Sequence, residues 1–138
     1  MALIFDTGPL LAALNDRDPA HARCRRLFDE MHETFVVPAP VVFEMDYWIR
    51  QRMGTGALLV FLDEIIDGNF ELEDLVTGDY ERVRDLCDKY ADSDLGFVDA
   101  AVMAVVERLN EPKLATLDQR HFRMIRPRHV DSLTLLPE

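Results

Sequence analysis

The chain has 138 residues, 49% of them apolar, and a formal net charge of -11. That length suits one domain able to bury about two-thirds of its unfolded surface, and the apolar residues are too many and too evenly spread for a disordered chain. No apolar run approaches the roughly 20 residues that span a bilayer, and the start has an Asp within its apolar run and no basic residue before it, so a soluble, cytoplasmic protein without a membrane partner is expected.

Ala2 to Phe5 is a short continuous apolar run, the pattern of a buried parallel strand. Asp6-Thr7-Gly8-Pro9 breaks it and opens a helix, which leaves Asp6 at the strand's C-terminal end as a helix cap or a functional acid. Pro19 to about Glu33 reads as an amphipathic helix on Ala22, Leu27, Phe28 and Met31. Thr34 to Val37 is the second strand, and Pro40 opens the next helix. Within that helix Glu44 sits about one turn into an apolar stretch. A carboxylate there is costly unless it tilts to solvent, pairs with Arg50 or Arg52, or meets a cation.

Ala57 to Ile66 carries a wide apolar stripe, expected to cover the core rather than to offer a partner a groove. Phe70 to Leu75 is a weaker alternating strand, and Thr77 to about Tyr90 is an acidic amphipathic helix. Ser93 or Asp94 is placed to cap the following helix, where Asp99 stands near the start of the apolar run Val98, Ala101, Val102, Val105, Val106 and Leu109. After the turn at Asn110 to Pro112, Lys113 to Thr116 forms the fourth strand, with Asp118 just beyond it. Leu133 to Leu136 is the last.

Strands and helices alternate, which predicts an α/β three-layer sandwich: residues 1–138 as a single domain around a parallel sheet of four or five strands with right-handed crossovers. In such a sheet, strand C-termini and the adjoining helix ends gather along one edge, where ligands bind. Asp6, Glu44, Asp99 and Asp118 can all reach that edge. Two carboxylates ~4 Å apart repel by ~4 kcal/mol at an effective dielectric of 20, so such a group demands a cation or raised pKa values. Cys24 and Cys87 lie far apart without a CxxC motif and are read as reduced core residues. The four histidines lack a zinc spacing, so carboxylates would have to hold any metal. An all-oxygen set suits Mg²⁺ or Mn²⁺, and the chemistry it implies is phosphodiester hydrolysis.

The charge is unevenly placed. Residues 120 to 129 hold Arg120, Arg123, Arg126 and Arg128 with no acid, a +4 segment that leaves -15 on the remainder. It is either a solvated turn or a lane for an RNA backbone beside Asp118. A receiver domain would place two acids together after the first strand, and a haloacid-dehalogenase-type phosphatase would carry DxDxT; this chain has DTGP in that place.

The segments IFDTGPL, VVFEMDYW, DLGFVDAAVMAVVERL and TLDQRHF together resemble PIN-domain proteins, and among them the VapC type of toxin ribonuclease. The resemblance runs over nearly the whole chain. It implies that Asp6, Glu44, Asp99 and Asp118 form an acidic quartet binding Mg²⁺ or Mn²⁺, and that Thr7 and Thr116 help to hold the site together. It also implies metal-dependent endoribonuclease activity on RNA, homodimers, and an antitoxin whose C-terminal segment wraps the toxin. Asp94 and Asp46 are additional acids near these motifs with no assigned role. The rival reading is a non-catalytic PIN-fold binding module.

Overall fold

The computed structural model describes all residues from 1 to 138. Its elements are β1 (Ala2–Phe5), α1 (Thr7–Leu14), α2 (His21–Glu30), β2 (Thr34–Pro38), α3 (Ala39–Arg52), α4 (Thr55–Ile66) and β3 (Glu71–Glu73), followed by α5 (Thr77–Lys89), a 3-10 turn (Ala91–Ser93), α6 (Phe97–Arg108), β4 (Lys113–Ala115), α7 (Gln119–Met124) and β5 (Thr134–Leu136). All five strands are parallel in the order β3-β2-β1-β4-β5, with helices flanking the sheet. The expected α/β architecture is therefore the observed one. No helix is long and apolar enough to cross a membrane.

The chain leaves β1 toward β2 and β3, then returns past β1 to lay down β4 and β5, so the winding direction reverses between β1 and β4. At such a switch point the loops after neighbouring strands diverge and leave a crevice. Leu3, Ile4 and Phe5 are wholly buried, and Phe5 stacks on Phe28 at 5.0 Å between ring centres. Helix α6 is enclosed on almost every side: Ala100 through Val106 are all buried, which fixes the position of the acid near its start. Both cysteines are free, and Cys24 lies in a small buried cluster where burial pushes its thiol up to about 11.

Two expectations are corrected. The stripe on α4 covers the core along one face only: Phe61 is buried and Leu58 and Ile65 pack against the core, while Leu59, Val60 and Ile66 are 55%, 51% and 77% exposed. An apolar helix face has the same sequence signature whether its own core or another molecule covers it. Neither Ser93 nor Asp94 caps α6 either. Its N-cap is Gly96 and no side chain bonds there; Asp94 instead ends the 3-10 turn in the left-handed region, at φ 55°. An Asp tolerates that conformation better than most residues.

Candidate metal centre

The crevice at the β1/β4 switch point collects the acids. Phe5 pairs with Ala115 in the sheet, so the next residues, Asp6 and Thr116, emerge side by side. The Asp6 N–H donates to the Ala115 carbonyl at 2.9 Å. Asp6 is buried and both of its carboxylate oxygens are engaged: Oδ1 accepts the Thr7 N–H at 2.8 Å and Oδ2 accepts the Thr116 hydroxyl at 2.8 Å. The capping reading and the functional reading of Asp6 are thus compatible, because the residue that starts α1 also faces the crevice. The wholly buried Thr116 oxygen accepts the Asp118 N–H at 3.1 Å in turn, so one hydroxyl fixes both β1/β4 acids.

Thr7 does the same on the other side. Its hydroxyl donates to Glu44 Oε1 at 2.7 Å, tying the acid on α3 to the residue that follows Asp6. Neither arginine proposed as a partner takes Glu44: Arg50 pairs with Asp46 at 2.8 Å, and Arg52 lies over the Trp48 ring. Asp46 is thereby accounted for on another face of the helix.

Asp99 and Asp118 meet across His121. The imidazole Nδ1 stands 3.0 Å from Asp99 Oδ2 and 3.2 Å from Asp118 Oδ2, and one donor atom from each of the three residues fits within 4.8 Å. Asp6 and Glu44 do not belong to that tight trio. They border it, and their charges reach it: burial first, then the charge of Asp99, raise the Asp6 carboxyl from an ordinary 3.8 to about 7 against the lowering pull of Thr116 and Thr7, with Glu44 adding a smaller push. Asp99 is raised as well, chiefly by burial, with His121 opposing and Asp118 and Glu44 adding to the rise. No Lys or Arg forms an ion pair with any of the four acids.

The inference that only carboxylates face the site needs correction, because His121 was read as a histidine without a metal spacing. Its signal was the three-residue step from Asp118. That step puts both side chains on one face of a helix, and here the helix is only six residues long.

The basic segment is divided more finely than a single lane. Arg120 and Arg123 lie on α7, just after Asp118, and both are exposed. Arg123 and Arg126 border one hollow, and Arg126 also lines a second with Lys89, Arg82 and Arg128. Arg82 is spent on Glu107 at 2.7 Å and Arg128 on Asp85 at 3.6 Å, whereas Arg126 and Lys89 have no acidic partner. Lys89, at the end of α5, stands far before the arginine run in the sequence, so nothing in that run signals its place beside Arg126.

A family model described as "PIN domain" matches residues 3–126 of this chain. The chain belongs to the PIN-domain family. A relative in Mycobacterium tuberculosis, Ribonuclease VapC26, is 33% identical over 135 residues, covering 98% of this chain and 100% of that protein. Solved structures with the same PIN fold include M. tuberculosis VapC20, a toxin that cleaves the sarcin-ricin loop, with TM-score 0.76 and 19% identity over 81% of this chain and 86% of that one. VapBC2 from Rickettsia felis, bound to a promoter DNA fragment, gives 0.70 and 17% over 98% and 97%. A toxin-antitoxin complex from Klebsiella pneumoniae gives 0.67 and 16% over 89% and 92%.

The donor set of this PIN domain fits a hard divalent cation. Four carboxylates, from the β1–α1 junction, α3, α6 and the β4–α7 turn, border one crevice beside a single imidazole, and the most buried of them, Asp6, is driven toward neutrality by burial first and by the neighbouring acids second. A cation there removes the penalty.

Proposed function

We propose that this PIN domain is a Mg²⁺- or Mn²⁺-dependent endoribonuclease that hydrolyses RNA phosphodiester bonds, acting as the toxin of a VapBC-type toxin-antitoxin pair in the cytoplasm. The observation that carries this reading is the convergence of Asp6, Glu44, Asp99 and Asp118 on one crevice without a permanent cationic partner among the lysines and arginines. The full-length likeness to a protein named as a ribonuclease supports the choice of RNA.

In this reading Asp99 and Asp118 are the principal metal ligands, with Asp6 and Glu44 completing the acidic wall. A bound divalent ion would polarise the scissile phosphate and lower the pKa of the attacking water. Thr116 and Thr7 act through the acids, holding Asp6, Asp118 and Glu44 in orientation, so Thr116 is a positioning residue rather than a catalytic one. Arg120, Arg123 and Arg126 take backbone phosphates as they leave the acidic centre, while the surrounding negative charge discourages binding elsewhere. The exposed apolar face of α4 supports an amphipathic antitoxin segment as partner, and the exposed Phe43, Tyr47 and Trp48 on α3 leave surface for a homodimer.

The deciding experiment is RNA cleavage by the purified chain, stripped of metal by a chelator and then resupplied. Cleavage should stop on stripping and return with Mg²⁺ or Mn²⁺. Cleavage indifferent to the chelator would remove the metal from the reaction, and RNA left intact with either metal would leave a binding module.

Replacing Arg123 and Arg126 together by Ala should weaken RNA binding and make the plot of log affinity against log salt shallower by about 1.4, for two single-strand phosphate contacts. A salt dependence equal to that of the parent protein would return the segment to a solvated turn.

A further inference from the structure

We propose that His121 is itself a metal ligand, supplying one imidazole nitrogen to an otherwise carboxylate site, and that it makes this PIN domain prefer Mn²⁺ to Mg²⁺. The proposal rests on the metal-dependent reading above and adds the identity of a ligand and a selectivity. Nδ1 of His121 lies 3.0 Å and 3.2 Å from the nearest oxygens of Asp99 and Asp118, in the same trio of donor atoms that lies within 4.8 Å. No other protein group makes a hydrogen bond or ion pair with that nitrogen, and no protein hydrogen bond engages Nε2. Without a cation the Nδ1–H donates to these carboxylates; with one, the ring proton can sit on Nε2 and leave the Nδ1 lone pair to bind the cation.

Two arrangements are consistent with a histidine between two carboxylates. The ring could be a stand-in cation that a metal expels, or a ligand that stays. The local structure favours staying. The His121 N–H donates to Asp118 Oδ1 at 3.3 Å while its ring meets the other oxygen of that carboxylate, so residue and acid form one unit at the start of α7. The adjacent Phe122 is buried and anchors the helix beneath it. The side chain itself is only 24% exposed, which restricts where the ring can swing. Mg²⁺ strongly favours oxygen donors, whereas affinity for a site containing imidazole rises along the transition-metal series that begins at Mn²⁺.

The two arrangements predict opposite effects of removing the ring. Mn²⁺ and Mg²⁺ are titrated separately by calorimetry into the metal-free full chain and into His121→Ala and His121→Asn, with circular dichroism confirming that each variant is folded. Loss of a ligand should weaken Mn²⁺ binding by about tenfold or more. Mg²⁺ binding should change little, so that the preference collapses. The Asn variant, which can offer oxygen but no imidazole, should behave like Ala. In the parent protein, bound Mn²⁺ should show nitrogen modulation of its electron-spin echo, and the variants should not.

Tighter binding of both metals by His121→Ala would overturn the proposal in favour of an expelled stand-in cation. Mn²⁺ bound without nitrogen coupling would also overturn it, while leaving the nuclease reading intact. Failure of the parent protein to bind either metal would sink both.

Discussion

Replacing Asp6 with Asn is expected to abolish RNA cleavage, lowering its rate by at least about a hundredfold, while making the metal-free protein more stable above neutral pH. The two effects have one origin. Burial and the neighbouring Asp99 raise the Asp6 carboxyl to about 7, so between its ordinary 3.8 and 7 the folded chain holds a proton that the unfolded chain releases. Stability of the metal-free protein therefore falls as pH rises through that window. The full cost, on the order of 4 kcal/mol, is present above it. Asparagine cannot ionise and escapes this cost. Its carbonyl can still accept the Thr7 N–H, while the Thr116 hydroxyl loses its carboxylate acceptor at a cost of about 1 kcal/mol.

The net gain of about 3 kcal/mol corresponds to a melting temperature roughly 10 °C higher at pH 8, with the difference disappearing at low pH. Adding Mn²⁺ should reverse the order, because metal binding draws on the charged form that folding alone disfavours. Thermal melts across pH, with and without Mn²⁺, read both effects beside a cleavage assay. Undiminished cleavage by Asp6→Asn would take Asp6 out of the ligand set. A pH profile parallel to that of the parent protein would mean that its carboxylate is not strained.

Asp6 and Asp118 were legible in the sequence because each lies just beyond the C-terminal end of a short strand in an alternating α/β pattern, and chain direction alone then puts them on the ligand-binding edge. Glu44 and Asp99 were legible for a different reason: each interrupts an apolar helical stretch where a carboxylate has no packing role. What periodicity cannot convey is contact between distant elements. The approach of His121 to Asp99 depends on how α7 docks against the start of α6, and nothing in TLDQRHF reports that packing. Lys89 joins Arg126 only because α5 ends beside the segment after α7. The α4 stripe shows the same limit from the other side. Its residues read as core, yet which of them meet the core depends on how the α3–α4 hairpin is tilted.

Replacing Arg108 with Met should destabilise the protein by about 3 kcal/mol and lower its melting temperature by roughly 10 °C, while leaving cleavage by the folded protein unchanged. Asp79 is only 3% exposed, and Arg108 Nε lies 3.1 Å from each of its carboxylate oxygens. The same guanidinium reaches Glu73 at 3.1 Å and the Asp74 carbonyl at 3.2 Å, so it ties the end of α6 to the edge strand β3 and the start of α5. Removing it leaves a buried carboxylate with only the Val76 N–H at 3.0 Å. The loss belongs at the lower end of the range for broken buried pairs, since Arg108 is itself 30% exposed and Met keeps much of its packing stem.

Asp79→Asn in the same background should recover part of the stability, because a neutral amide does not require the cation. Arg108 lies nine residues beyond Asp99, about 13 Å along the α6 axis, so the acids should keep their arrangement wherever the variant remains folded. At that separation, energies add. Asp6→Asn, which relieves the crevice, should therefore return Arg108→Met nearly to the parent melting temperature at pH 8 while leaving it without cleavage activity. Failure of the second substitution to compensate would mean that the two ends of α6 are coupled, and that Arg108 helps to place Asp99 as well as to hold the fold.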